Sequence, residues 1–402
     1  MTRTAFRGGV LHMLRDPAAA GEGPAYAYLE DAVLIVENGR IAQLCAFDDL
    51  AAEERRALDI QTFANALIIP GFIDAHIHYP QGDMIGAYGA QLMDWLERYT
   101  YPAEMRFADR DVAEAAAKAF LDELLRNGTT SAMVFATSHE HSVDALFGEA
   151  LSRDMRLIAG KVLMDRGAPE ALLDPLGGGG EASERLIEHW GGRGRLGYAV
   201  TPRFAPTSSE AQLAMAGDIL ARYPDVYLQT HISENSGEID EVRRLFPNDA
   251  DYLAVYERFG LVTARSVFAH GVHLDETGFE RLARADAALA FCPTSNLFLG
   301  SGLLNVDAAL RSGVRVGLAT DVGGGTSFSM LATMAEAYKV AQLGGSGLDP
   351  WRLFYMATLG GAKALRIDDR VGSFEIGKEA DFVVFDLAAT PLLERRMAAA
   401  QS

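Results

Sequence analysis

Residues 70–83 read PGFIDAHIHYPQGD, and this stretch decides the fold. It continues an apolar run, ALIIPGFI, of the kind that fills a buried strand. The run then ends in Asp74, His76 and His78, groups that cost free energy to bury unless something binds them. A spacing of two places both imidazoles on one face of a strand. A single His-x-His pair is commonly satisfied by its neighbours, so the meaning of this one depends on what the rest of the chain brings to it.

Downstream, helical and strand patterns alternate. Residues 109–127, DRDVAEAAAKAFLDELLRN, carry a capping Asp109, acidic first turns, helical spacing and then Gly128 as a stop, and run into the apolar segment TTSAMVFAT. SERLIEHW leads to RLGYAVTPRF, and Thr207 with Glu210 reads as a capping box before AQLAMAGDILARYPD and VYLQTHISEN. FERLARADA precedes ALAFCPTSN, and VDAALRSG precedes VRVGLATDVGGG. Short buried strands alternating with helices over this length imply a parallel sheet, and an α/β fold of the (β/α)8 TIM-barrel type fits better than an open doubly wound sheet. The first barrel strand is the one that ends at His78.

The ends are built differently. DAVLIVENGRIAQLCAF holds two alternating segments around an Asn-Gly turn, a hairpin signal. Residues 371–387, VGSFEIGKEADFVVFDL, read as a second pair of strands with a Gly-Lys turn, and the AAAQS terminus offers no packing signal. Neither end buries a face alone, so residues 1–68 and 367–402 are expected to form one small β-sandwich beside a barrel of residues 69–366.

Composition narrows the partners. The chain has 402 residues, 49% hydrophobic, enough for a large barrel and a smaller domain. A net charge of -19 and a pI near 4.9 repel phosphate backbones, so no nucleic-acid partner is expected. Two cysteines, Cys45 and Cys292, are too few for a disulfide framework or a thiolate metal site. The start MTRTAFRGGVLHML lacks the plan of a signal peptide, and no apolar run reaches membrane-span length. The expectation is a soluble cytoplasmic protein.

In such a barrel, active sites form at the carboxyl ends of the strands. His76 and His78 lie there, as do His231 and Glu234 in VYLQTHISEN, His270 in SVFAHG and Asp321 in RVGLATDVGGG. Four imidazoles and two carboxylates at one mouth exceed what a core leaves unpaired, whereas a divalent metal accounts for them. His273, three residues past His270, points to the opposite face of a strand. His139 and His141 repeat the His-x-His spacing without a matching partner, and His12 and His189 read as surface residues. GGGG at 177–180 reads as a flexible loop. GGG at 323–325 lacks the ending of a phosphate-cradling loop. Cys292 reads as a small core residue, and with no Pro-Cys-x-x-Cys the polynucleotide deaminase fold is excluded.

The His76-x-His78, His231, His270 and Asp321 set resembles the amidohydrolase superfamily. More narrowly, the chain resembles the guanine deaminases through PGFIDAHIHYPQGDMIGAYGAQLMDWLERYTYPAE (70–104), THISEN (230–235), FCPTSNLFLGSG (291–302) and TDVGGGTSFSML (320–331). The resemblance covers nearly the whole chain, although relatives continue past the ATPLLERR segment. It implies hydrolysis of guanine to xanthine and ammonia at a single zinc ion, in a homodimer. By resemblance, His76, His78, His231 and Asp321 bind the metal, His270 holds and polarises the water, and Glu234 shuttles protons. Zinc lowers the pKa of its bound water to about 7, which suits this chemistry. Gln81, Arg203 and Phe204 match the family's substrate contacts, and a donor aimed at O6 suits guanine over adenine. The candidate fourth strand, RLGYAVTPRF, has no lysine to bridge two metals, so one ion is expected. Three imidazoles and a carboxylate suit zinc and iron alike. The competing expectations are a related enzyme acting on cytosine, 8-oxoguanine or a triazine, and a barrel that binds without catalysis.

Overall fold

The computed structural model describes residues 3–19, 23–89, 91–175 and 177–400. The N-terminal strands are β1 (Arg3–Met13), β2 (Tyr26–Glu37), β3 (Arg40–Ala46) and β4 (Ile60–Pro70). The Asn-Gly turn behaves as the sequence implies: Glu37 pairs Arg40 across it, with Asn38 at φ 51° and Gly39 at φ 77°. These strands and the last strand of the chain, Phe382–Asp386, form one five-stranded sheet in which that strand pairs antiparallel with β4. Val10, Leu34, Ile68 and Phe374 meet in one apolar cluster of this unit, and Ala5, Val33, Ile35 and Leu50 in another.

The second strand pair expected at 371–387 is a single strand. Its first half is spent elsewhere: Ile41 N donates to the carbonyl of Lys378 and Gly377 N to that of Ile41, so this turn stitches onto the start of β3. His12 is a second correction. It is buried rather than on the surface, and its Nδ1 accepts from Phe374 N at 3.2 Å. Burial pushes its imidazole down to about 4, which keeps it the neutral acceptor that this bond requires.

β5 (Phe72–His78) opens the barrel immediately after β4. The other strands are β6 (Thr129–Phe135), β7 (Arg156–Gly160), β8 (Val162–Leu163), β9 (Gly197–Pro202), β10 (Tyr227–Ile232), β11 (Ser266–His270), β12 (Ala288–Phe291) and β13 (Arg315–Leu318). Eight parallel strands run from β5 to β13, with β8 paired to β9. The two barrel edges meet through Asp321 N to the His76 carbonyl at 3.0 Å and His78 N to the Val322 carbonyl at 2.9 Å. Small residues fill the interior, including Ala75, Ala199, Ala269, Ala288, Ala290 and Ala319, while Leu365, Ile367 and Val371 belong to the same cluster.

The helices follow their caps. Asp109 accepts from Asp111 N and starts the helix Arg110–Arg126, which Gly128 ends at φ 77°. Before the helix Glu210–Arg222 the cap is Ser209 rather than Thr207, because the Thr207 hydroxyl donates to the Phe204 carbonyl in a tight turn. The GGGG run is not a loop. It begins the helix Gly178–Trp190, and side chains are excluded by contact: a Cβ on Gly179 would lie 2.7 Å from Asp174 Oδ2, and one on Gly180 would lie 2.7 Å from Met215 Sδ. The chain's last helix, Pro391–Ala399, buries no residue. Of AAAQS, residues 401–402 lie outside the described residues. Among the described residues, no helix is long and apolar enough to cross a membrane.

Candidate active site

A register shift between Asp74 and Ile77 of β5 explains how His76 and His78 reach the barrel mouth together. Ala75 joins the barrel interior and Ile77 the layer beneath the helices. The extra residue of the bulge lets His76 turn inward after Ala75, and alternation then returns His78 to the same side. Asp74 fixes the turn from below, accepting from His76 N at 3.2 Å and from Thr320 N at 3.1 Å.

The side chains converge. His78 Nε2 is 3.1 Å from His76 Nε2 and 3.2 Å from His231 Nε2. Asp321 Oδ1 lies 3.2 Å from His76 Nε2 and 3.3 Å from His78 Nε2. Ligand atoms of His76, His231, His270 and Asp321 all fall within 4.8 Å of one another, so this group of four holds His270 where the sequence-expected set has His78, and His78 adjoins it through His76, His231 and Asp321. Ser233, His270 and Asp321 each hold positive φ values of 48°, 73° and 50°. Left-handed backbone at non-glycine residues costs on the order of 1 kcal/mol each and is retained where geometry is functional.

The donor set fits a divalent cation. His231 Nδ1 donates to the Arg203 carbonyl at 2.6 Å, which leaves Nε2 as a lone pair aimed into the cluster. His270 Nδ1 is likewise engaged, 2.8 Å from Asn296 Oδ1. Burial pushes the His78 imidazole down to about 3 and, with the neighbouring imidazoles, holds His231 well below its ordinary value. Both imidazoles are therefore neutral at physiological pH. Burial opposes ionisation of Asp321, but His76, His78 and His270 outweigh it and hold its carboxyl well below the usual range.

Above the cluster lies a cleft lined by Gln81, Trp95, Arg203, Phe204, Glu234 and Leu299, among others. Glu234 Oε2 is 3.4 Å from His270 Nε2, and its Oε1 accepts from the Ser301 hydroxyl at 3.1 Å. Burial, reinforced by the charge on Asp321, pushes the Glu234 carboxyl up to about 8. A carboxyl in that range can exchange a proton near neutral pH. Arg203 and Gln81 share the fully buried Glu104. Arg203 Nη1 donates to its oxygens at 2.9 and 2.8 Å, and Gln81 Nε2 donates to Oε1 at 3.0 Å.

The structure brings every expected site residue to this one mouth: His76, His78, Gln81, Arg203, Phe204, His231, Glu234, His270 and Asp321. The other histidines stand aside. His273 binds the Ser301 carbonyl, His141 the Phe107 carbonyl, and His139 precedes a helix as its half-buried flanking residue. Cys292 is buried beside the cluster, and Gly324 lines the cleft. Sequence reasoning passed over Glu104, Ser301, Asn296 and Trp95. Glu104 had a signal, a lone carboxylate on the turn that buries Tyr101. The others are ordinary polar or aromatic residues with none.

The Amidohydrolase family profile matches residues 67–401. A guanine deaminase of Escherichia coli K12 is 47% identical over 98% of this chain and 90% of its own length. The solved E. coli guanine deaminase superposes with a TM-score of 0.95 at 46% identity, over 99% of this chain and 93% of that one. The guanine deaminase of C. acetobutylicum, solved with guanine in its active site, gives 0.90 at 29% identity over 99% and 96%. An adenosine deaminase of Xanthomonas campestris, solved with bound zinc, gives 0.84 at 26% identity over 99% and 89%.

Proposed function

The chain belongs to the amidohydrolase family, and from that premise we propose how it works: it deaminates guanine hydrolytically to xanthine and ammonia, with one zinc ion as its metal. The observation that carries this reading is the convergence of His76, His231, His270 and Asp321, with His78 beside three of them, beneath a cleft that also holds Glu234 and Arg203. His76, His78, His231 and Asp321 are its metal ligands, and Fe2+ suits the same donors. The bound metal supplies Lewis-acid activation of water at neutral pH.

The side chains supply the rest. Asp321 Oδ2 and His270 Nε2, 3.6 Å apart, bracket the attacking water, with Asp321 accepting its proton. Glu234, protonated near neutral pH, delivers its proton from Oε2 to the ring nitrogen next to C2, then takes the proton of the new C2 hydroxyl and passes it to the departing amine. The proton left on Asp321 is released and Glu234 takes one up, which resets the site. Arg203 and Gln81 face the carbonyl edge of the base with donors, and Phe204 lies beside the ring. An amino group at C6 leaves those donors unpaired, which disfavours adenine.

We assign residues 69–366 to the barrel and the flanks to the small domain. Cys45 and Cys292 are free thiols, which suits a reducing cytoplasm. The exposed Leu331 and Tyr338 on one side of the helix Met330–Leu343 support a homodimer. The test of the activity is ammonia release across guanine, cytosine, 8-oxoguanine and aminotriazines. Guanine is expected to be turned over fastest, and a preference for another ring overturns the assignment.

A further inference from the structure

We infer that Glu104 is the positioning residue that sets base selection: it orients Gln81 and Arg203 into a donor-only face toward the six-position of the purine. This rests on the reading of those two residues as substrate contacts.

Glu104 sits in the helix Tyr101–Met105, in the long connection after β5, and is fully buried. Arg203 follows β9, and its guanidinium is almost as buried as its partner. An unpaired charge in either place is strongly unfavourable, so the pair stands or falls together. The detailed geometry goes beyond charge pairing. Arg203 spends only Nη1 on the carboxylate, and among the described residues no acceptor meets its Nε or Nη2. Those donors remain for a ligand in the cleft that Arg203 lines.

Gln81 is set by the same group. A side-chain amide can turn over, exchanging a donor for an acceptor. Both Glu104 oxygens accept from Arg203, so the carboxylate requires Nε2 of Gln81 on its side, and the opposite end is fixed because Gln81 Oε1 accepts from Gly323 N at 3.2 Å. Gln81 therefore has one Nε2 hydrogen left over, while its oxygen is held by Gly323 N. Both residues thus present donors to a ligand, a face that favours an oxo group over an amine.

The consequence is specific to the substrate's six-position. Guanine and 2,6-diaminopurine carry the same departing amine at C2 but differ at C6. Steady-state rates with both bases, together with melting temperature and metal content, are measured for wild type, Glu104→Gln, Glu104→Asp and Arg203→Ala. Glu104→Gln permits the amide of Gln81 to turn and frees Arg203 from its anchor. It is expected to raise KM for guanine more than it lowers kcat, and to narrow the preference over 2,6-diaminopurine by about ten- to a hundredfold at unchanged metal content. Glu104→Asp keeps the charge but cannot reach both partners, so a smaller narrowing is expected. A role confined to stability predicts lower melting temperature and less active protein at constant selectivity. Wild-type selectivity in both variants, or in whichever of them folds, overturns the inference. If Arg203→Ala also keeps wild-type selectivity, the substrate reading itself fails. If Arg203→Ala loses selectivity and the Glu104 variants keep it, only the role of Glu104 fails.

Discussion

The Ser301 hydroxyl donates to Glu234 Oε1 at 3.1 Å, and this bond leaves Oε2 facing His270 at 3.4 Å. One oxygen is anchored and the other is placed beside the cluster. Glu234→Gln preserves the shape and removes the titrating group. Turnover is expected to fall by about 10² to 10⁴, the usual contribution of positioned acid-base catalysis, while metal content and guanine affinity stay near wild type. Single-turnover formation of xanthine beside a metal titration checks this. Loss of metal instead of rate makes Glu234 a ligand.

Arg203→Ala removes both the donors facing the base and the partner of the buried Glu104. KM for guanine is expected to rise by roughly ten- to a hundredfold, and the preference over adenine to shrink. An unaltered KM contradicts the assignment of Arg203 as a substrate contact.

Glu238 offers a pH test of stability away from the metal. It is fully buried, accepts from the Glu234 and Asn235 amides and binds the Tyr252 hydroxyl. Burial pushes its carboxyl from about 4.5 up to about 7. Between those values the folded protein holds a proton that the unfolded chain has released, so this group's contribution to stability declines as pH rises through the window. Melting curves of wild type and Glu238→Gln are the measurement. The difference is expected to shift in favour of the variant from about pH 4.5 to 7 and then level off. A difference independent of pH contradicts the buried, proton-retaining carboxyl.

Gly179→Ala separates a packed helix from a flexible loop. Alanine in an open helix gains about 1 kcal/mol over glycine. Here its Cβ would meet Asp174 Oδ2 at 2.7 Å and Leu163 Cδ2 at 2.9 Å, crowding the carboxylate that pairs with the buried Lys161. Overpacking of about 1 to 3 kcal/mol outweighs the gain, and the melting temperature is expected to fall.

Much of this was legible because the signals were local. Asp109 and Gly128 mark a helix at both ends, and Asn38-Gly39 admits the positive φ that a tight hairpin needs. The candidate ligands were legible because histidines at strand ends have few other uses. What escaped depended on tertiary neighbours. His12 becomes a buried acceptor only because Phe374 arrives from the far end of the chain, and the glycines at 177–180 become a helix start because Asp174 and Met215 press against them. Glu104 acquires its role only when Gln81 and Arg203, from different strand ends, meet on it. The β5 bulge that aims His76 is invisible to a period-two reading, which assumes strict alternation.

Guanine deamination is expected to depend on a metal held by His76, His78, His231 and Asp321. The measurement is ammonia release from guanine by protein stripped with a chelator, dialysed free of it and then titrated with zinc. Activity is expected to vanish on stripping and to return in proportion to zinc bound, reaching its plateau at about one ion per chain, whereas full turnover by rigorously metal-free protein would contradict the account.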